Sequence, residues 1–224
     1  MNEFAAFTTI GTKTIPTGTE PGGLRRFLRA HTVDAHARLD TRFGDFAGSQ
    51  VLQSYRRFIG MNLLAYHGLA AFFDIVDAGE TVPDAAEATL RQKIELSLQH
   101  LEDDRASMDL DCPPAHGFSL APCETSEMAG LAYVLDGSRL GARFIYRRLE
   151  QSGLVDSQDG EVSTAYLRSA FGGDRQGAET FGLSLAEDAV IKERALKAAL
   201  ATFALFERCL DQVAAHEGGK EPPR

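Results

Sequence analysis

Along most of the chain, apolar residues recur at spacings of three and four, and nowhere do they alternate over a useful length. The pattern predicts helices and no sheet. A first helix over 23–43 carries Leu24, Phe27, Leu28, His31, Ala35, Leu39 and Phe43 on its apolar side. Gly44 to Gly48 breaks it, and Ser49 is a suitable cap for a second helix reaching 76. That helix is marked by Tyr55, Phe58, Ile59, Leu63, Tyr66, Leu69, Phe72 and Phe73. A turn over 78–83 leads to a third helix, 84–105, whose polar residues outnumber its apolar ones and which is expected to lie on the surface. The stretch 109–123 holds Pro113, Pro114, Gly117 and Pro122 and reads as the longest irregular connection inside the fold. A long helix over 125–151 follows, about 40 Å from end to end at 1.5 Å per residue. A short helix over 162–171 ends at Gly172-Gly173. The last helix has a stripe of Leu196, Ala199, Leu200, Phe203, Phe206, Leu210 and Val213. Residues 1–22 and 217–224 show no period and are expected to be flexible tails, which leaves one all-α domain over 23–216.

Length and charge narrow the function. A chain of 224 residues buries a substantial single core. A formal net charge of -9 argues against general nucleic-acid or anionic-membrane binding. No apolar run looks long enough to span a bilayer, and the first residues lack the basic end and apolar stretch of a signal peptide. Cys112, Cys123 and Cys209 are too few and too scattered for a disulfide framework or a zinc site, so a cytoplasmic setting is expected. Cys112-Pro113 is similar to the Cys-Pro pairs of some regulatory haem sites, a dipeptide that also arises readily by chance.

The long helix contains the first candidate chemistry. Within Leu131–Leu149, Gly137 and Gly141 each cost a helix interior about 1 kcal/mol against alanine. Four residues apart, they lie on one face with Ser138 beside them, and with Ala142 they form a groove without side chains. Two readings are open: a close crossing with another helix, or a seat for a planar ligand.

The first helix supplies a possible partner for such a ligand. Arg25, Arg29, Thr32, His36 and Asp40 follow one another at spacings of three and four. Arg29 lies two turns before His36, about 10 Å along the axis. A histidine and an arginine so placed suit a ligand with a metal at its centre and carboxylates at its edge, a description that haem fits. His31 stands about 140° round the helix from His36, so the two do not easily share a metal.

The segments that carry these residues resemble a family. LRAHTVDAHARLD, 28–40, is similar to the proximal helix of the haem oxygenases, and YVLDGSRLGARFI, 133–145, to their glycine-bearing distal helix. Their order, their separation of about 100 residues and the closing ALFERCL also match, so the resemblance covers roughly 24–210. It is closest to the bacterial biliverdin-producing branch associated with phytochromes. The resemblance implies a haem-oxygenase-like helical bundle in which His36 is the axial iron ligand and Gly137 and Gly141 lie over the haem face. It places Arg29 near one propionate, Arg175 near a second, and Phe206 in the core of the last helix. Animal members have an aspartate after the first distal glycine; here that position is Ser138, and Ala142 replaces the last glycine of their cluster. Asp136 is the nearest carboxylate, on a different face.

The implied activity is cleavage of haem to biliverdin, iron and carbon monoxide with O2 and external electrons. Gly137 and Gly141 would steer sterically, and Ser138 would help to hold the water that supplies protons. Haem is then substrate and cofactor together. The implied partners are an electron donor such as a ferredoxin or a flavoprotein reductase, and a bacterial phytochrome that accepts biliverdin. A different class stays open: a non-catalytic carrier or sensor of haem or a tetrapyrrole on the same fold. Other helical enzymes fit less well. No glutamate has a histidine three residues on, as di-iron sites need, and Cys209 sits at the edge of an apolar stripe rather than among acids, as a thiaminase-like nucleophile would.

Overall fold

A computed structural model of the chain describes residues 23–42, 50–77, 85–115, 117–121, 124–155, 162–171 and 188–219. Within them the helices are α1 (Gly23–His31), α2 (Val33–Arg42), α3 (Val51–Asp77), α4 (Ala85–Ser107), α5 (Thr125–Gln151), α6 (Ala165–Ser169) and α7 (Ala189–Gly218). There is no strand among the described residues, and the architecture is all-α. Ser49, Cys123, Arg175, Gly172-Gly173 and residues 1–22 lie outside them.

The first expected helix is two helices joined by a bend at Thr32. Two backbone bonds span it: Thr32 N donates to Leu28 O at 2.9 Å and His36 N to Thr32 O at 3.0 Å. The Thr32 hydroxyl adds a second donor to Leu28 O at 2.8 Å, and such back-bonding bends helices. Thr32 is fully buried and its Oγ1 also lies 3.2 Å from the Tyr133 hydroxyl of α5. Leu24, Leu28 and Ala35 face the core, whereas His31, expected on that side, is exposed with Nδ1 2.8 Å from Phe27 O.

α3 is the interior helix. Every apolar residue that marked it in the sequence is buried. By length and composition Val51–Ile75 is apolar enough to cross a bilayer, contrary to the expectation, but 72% of its apolar window is buried inside the fold. It packs against α4 and α7.

α4 is less superficial than its composition implied. Leu90, Ile94 and Leu101 make a narrow buried stripe, and Asp104 is completely buried with them. Its carboxylate accepts from the backbone N–H of Ala165 at 2.7 Å and of Tyr166 at 3.0 Å, and from the hydroxyls of Ser163 and Tyr55. An acid on one helix thus caps the start of another, the five-residue α6.

α5 and α7 cross closely. A Cβ built on Gly130 would run into the carbonyl oxygen of Ala195 and stand 3.0 Å from the Cβ of Ala198. Arg194 pins the start of α5 to α7, with Nε 2.5 Å from Glu127 Oε1 and Nη1 2.9 Å from Glu124 Oε2. At its far end α7 runs to Gly218, and Glu217 pairs with Arg57 of α3 at 2.6 Å, so the helix passes the expected start of the tail at 217.

Candidate functional site

His36 is placed on α2 by the turn that follows the Thr32 bend. Its ring meets Phe203 of α7 edge-on, with centroids 4.5 Å apart and planes at 67°. Tyr133 of α5 stands 6.4 Å away at 87°. Opposite lies the front of α5. A Cβ added to Gly137 would come 3.9 Å from His36 Cε1 and meet nothing else within 4 Å. At Gly141, one turn on and exposed, it would meet nothing within 4 Å among the described residues.

These distances decide between the two readings of the glycine pair. The close helix crossing on α5 is at Gly130, two turns earlier, and neither Gly137 nor Gly141 makes one. At Gly137 the bare backbone stands within van der Waals reach of His36, and at Gly141 it meets nothing among the described residues. Alanine at either position meets ordinary contact or none, so Gly137→Ala and Gly141→Ala should each stabilise the fold by about 0.5–1 kcal/mol. Thermal unfolding would show this as a rise of roughly 1–4 °C per substitution. A loss of stability would mean that a neighbour already fills that space.

The electrostatics of His36 suit a ligand. Burial lowers its pKa from the usual 6.5, Asp40 pulls it back up, and Arg29 lowers it further. The imidazole is therefore neutral at pH 7, with a lone pair free for a metal. Burial raises the pKa of Asp40, partly offset by His36. Arg29 is exposed and makes no ion pair among the described residues. Arg175 lies outside the described residues, so the sequence alone places it.

Ser138 and Asp136 flank Gly137 and turn away from His36. Ser138 Oγ donates to Leu135 O at 2.7 Å, and its oxygen is also in the hydrogen-bonding set of Tyr66 on α3. Burial first, and the neighbouring Asp136 in part, raise the Tyr66 pKa against its hydrogen bonds. Asp136 Oδ1 accepts from Lys93 Nζ of α4 at 3.2 Å. Phe206 is a core residue, 3% exposed, with its ring 6.3 Å from Tyr66. Burial pushes the Cys209 thiol up to about 11, far from a nucleophile at neutral pH.

Three members of the site carried no sequence signal of their own. Phe203 was one apolar residue in a stripe, Thr32 one polar residue on a face, and Tyr133 one residue within the distal segment. The sequence already sets Thr32 one turn before His36 on the same face, and the fold brings Phe203 and Tyr133 to that ring.

No family model matches the chain, and no curated relative matches it. Among solved structures the fold is similar to that of the NO- and CO-bound haem oxygenase from Neisseria meningitidis. The TM-score is 0.53 at 16% identity, over 90% of this chain and 97% of that one. The class is thereby defined at the level of architecture: the chain has the all-α haem oxygenase fold.

Proposed function

We propose that the chain binds haem between α2 and the glycine face of α5 and degrades it oxidatively to biliverdin, iron and carbon monoxide. The observation that carries this reading is the neutral His36 facing the bare backbone of Gly137. A helix face without side chains, opposite a neutral imidazole, fits a flat ligand with a central metal better than it fits helix packing. The likeness of fold to a haem oxygenase supports it.

Each residue has a stated part. His36 supplies the lone pair that holds the iron. Arg29, without an ion-pair partner among the described residues, supplies charge to a carboxylate at the ligand edge, and Arg175 is proposed for a second. Gly137 and Gly141 admit the macrocycle against the helix and limit the space left above it. The Ser138 hydroxyl proton is committed to Leu135 O, which leaves its oxygen to accept from Tyr66 or from water. The haem, as substrate, supplies the redox chemistry when bound. Electrons would come from a ferredoxin or a flavoprotein reductase, and in the phytochrome-associated branch the product would pass to a bacterial phytochrome in the cytoplasm.

A second reading, a haem or tetrapyrrole carrier or sensor, is favoured by one observation. Where animal members of the family have an aspartate, this chain has Ser138, and the nearby carboxylate of Asp136 is held by Lys93 on another side of the helix.

One optical titration separates these. Hemin added to the full chain should give a sharp, stoichiometric, histidine-ligated Soret band, lost in His36→Ala. With ascorbate in air the band should bleach into a biliverdin-like red absorption. A Soret band that survives the reductant would establish the carrier, and absence of stoichiometric binding would remove haem altogether. The pH dependence has a fixed sign. Because the folded pKa of His36 lies below 6.5, protons begin to compete with the iron only below that pH. Hemin affinity should stay level from pH 8 to about 6.5 and fall in more acid solution.

A further inference from the structure

The bend at Thr32 is tied to the glycine helix. The Thr32 hydroxyl gives its proton to Leu28 O at 2.8 Å, so its oxygen accepts from the Tyr133 hydroxyl, 3.2 Å away. Thr32 is fully buried, and a hydrogen bond away from water is stronger than one in it.

Two steps of four residues then run side by side. Thr32 and His36 are one turn apart, joined by the bond from His36 N to Thr32 O. Tyr133 and Gly137 are one turn apart on α5 and share a face. Thr32 meets Tyr133, and one turn on His36 meets the backbone of Gly137. The Thr32–Tyr133 bond is therefore a rung at the foot of the gap between α2 and the glycine face.

Beyond that rung α2 is carried by α7. Arg38 pairs with Glu207 at 2.8 Å and Arg42 with Asp211 at 2.5 Å. Both pairs are exposed and hold the helix only weakly. Phe203 of α7 covers one side of the imidazole, and the Tyr133 ring stands against it from α5, nearly perpendicular. The bond to Thr32 fixes where that second ring stands.

We propose that Tyr133, held by Thr32, is a positioning residue that sets the direction in which His36 presents its imidazole to the glycine face. The geometry is independent of the ligand, whereas its use rests on the haem reading. An imidazole that samples other directions binds a metal more weakly, in proportion to the fraction correctly aimed.

Tyr133→Phe keeps the ring and removes the bond. In the full chain alone, nuclear Overhauser contacts from the His36 Hε1 proton to the ring at position 133 and to Phe203 should be strong in the wild type and weakened in this variant. With hemin added, Tyr133→Phe should bind about three- to tenfold more weakly. Its ferric EPR signal should broaden as the imidazole takes several orientations. Thr32→Ser keeps the hydroxyl and should match the wild type in all three readouts. Thr32→Val lacks it, should behave as Tyr133→Phe, and decides the matter if that variant does not fold. A bond that serves stability alone would lower Tm in Tyr133→Phe and leave the contacts, the EPR signal and the affinity unchanged, which would overturn the proposal. If the wild type binds no hemin, the haem reading fails, and the contacts of His36 by themselves decide whether Tyr133 aims the ring.

Discussion

Asp104→Ala should lower stability by about 3–4 kcal/mol, the largest loss expected from a single side chain outside the apolar core. The carboxylate is completely buried and accepts from two backbone N–H groups at the start of α6 and from the hydroxyls of Ser163 and Tyr55. Each donor left unpaired in the interior costs about 1–3 kcal/mol. Tyr55 has some recourse, because its hydroxyl also donates to Ser163 O at 3.0 Å. Of the two amides, Ala165 N also reaches Ser163 Oγ at 3.4 Å, whereas Tyr166 N points at the place the carboxylate leaves. A five-residue helix has almost no stability of its own, and α6 depends on this cap and on Arg143, which donates twice to Ala170 O at 3.0 and 2.8 Å.

Thermal unfolding should record a fall in Tm of roughly 10 °C. Asp104→Asn should fall between, since it keeps one acceptor oxygen but turns an NH2 toward amide donors. The pH dependence runs opposite to that of an exposed ion pair. Burial raises the Asp104 pKa above 3.8 against the pull of its four hydrogen bonds. The folded state then binds this proton more readily than the unfolded state. The group's contribution therefore grows as pH falls through the folded pKa, and acid unfolding does not begin here. A loss below 1 kcal/mol for Asp104→Ala, measured by denaturant titration, would mean that water replaces the carboxylate.

Gly130→Ala is expected to cost about 2–3 kcal/mol, although alanine is the better helix former by about 1 kcal/mol. The added methyl would land on the Ala195 carbonyl, which is backbone and has no rotamer to escape into. α5 or α7 must shift instead, and these two helices form the most extensive packing among those described. The same substitution thus has opposite signs at positions two turns apart on one helix, destabilising at 130 and stabilising at 137. Chemical denaturation of Gly130→Ala, Gly137→Ala and Gly141→Ala side by side would test the contrast directly. Three equal gains would show that α5 has no close crossing at all.

The sequence was informative where a property belongs to one helix alone. Helix α5 runs from Thr125 to Gln151, as its periodicity predicts, and every apolar residue used to mark α3 is buried. Properties that depend on a second helix were not legible. Three acids in a row, Glu102, Asp103 and Asp104, look equally solvated in the sequence, and only the seat of α6 selects Asp104 to turn inward. Gly130 escaped notice because it has no glycine one turn away. Its signal is the small Ala195 and Ala198 on the partner helix, and pairing the two requires knowing the crossing. At the candidate site, the chain pattern gave His36 and Gly137 separately. Their opposition, and Phe203 beside them, come from tertiary structure.

The bend at Thr32 makes the proximal segment a ruler. Arg29 stands on α1 and His36 on α2. The bonds from Thr32 N to Leu28 O and from His36 N to Thr32 O tie the two helices at the bend, so the seven-residue step between Arg29 and His36 is set by both helices together. A single residue inserted between them would lengthen that interval by only about 1.5 Å but swing one end about 100° round the other. Substitutions there change surfaces, whereas insertions and deletions change the register between a metal ligand and a charge. Under the proposed function, related chains would then vary freely in composition across residues 30–35 and hardly at all in length.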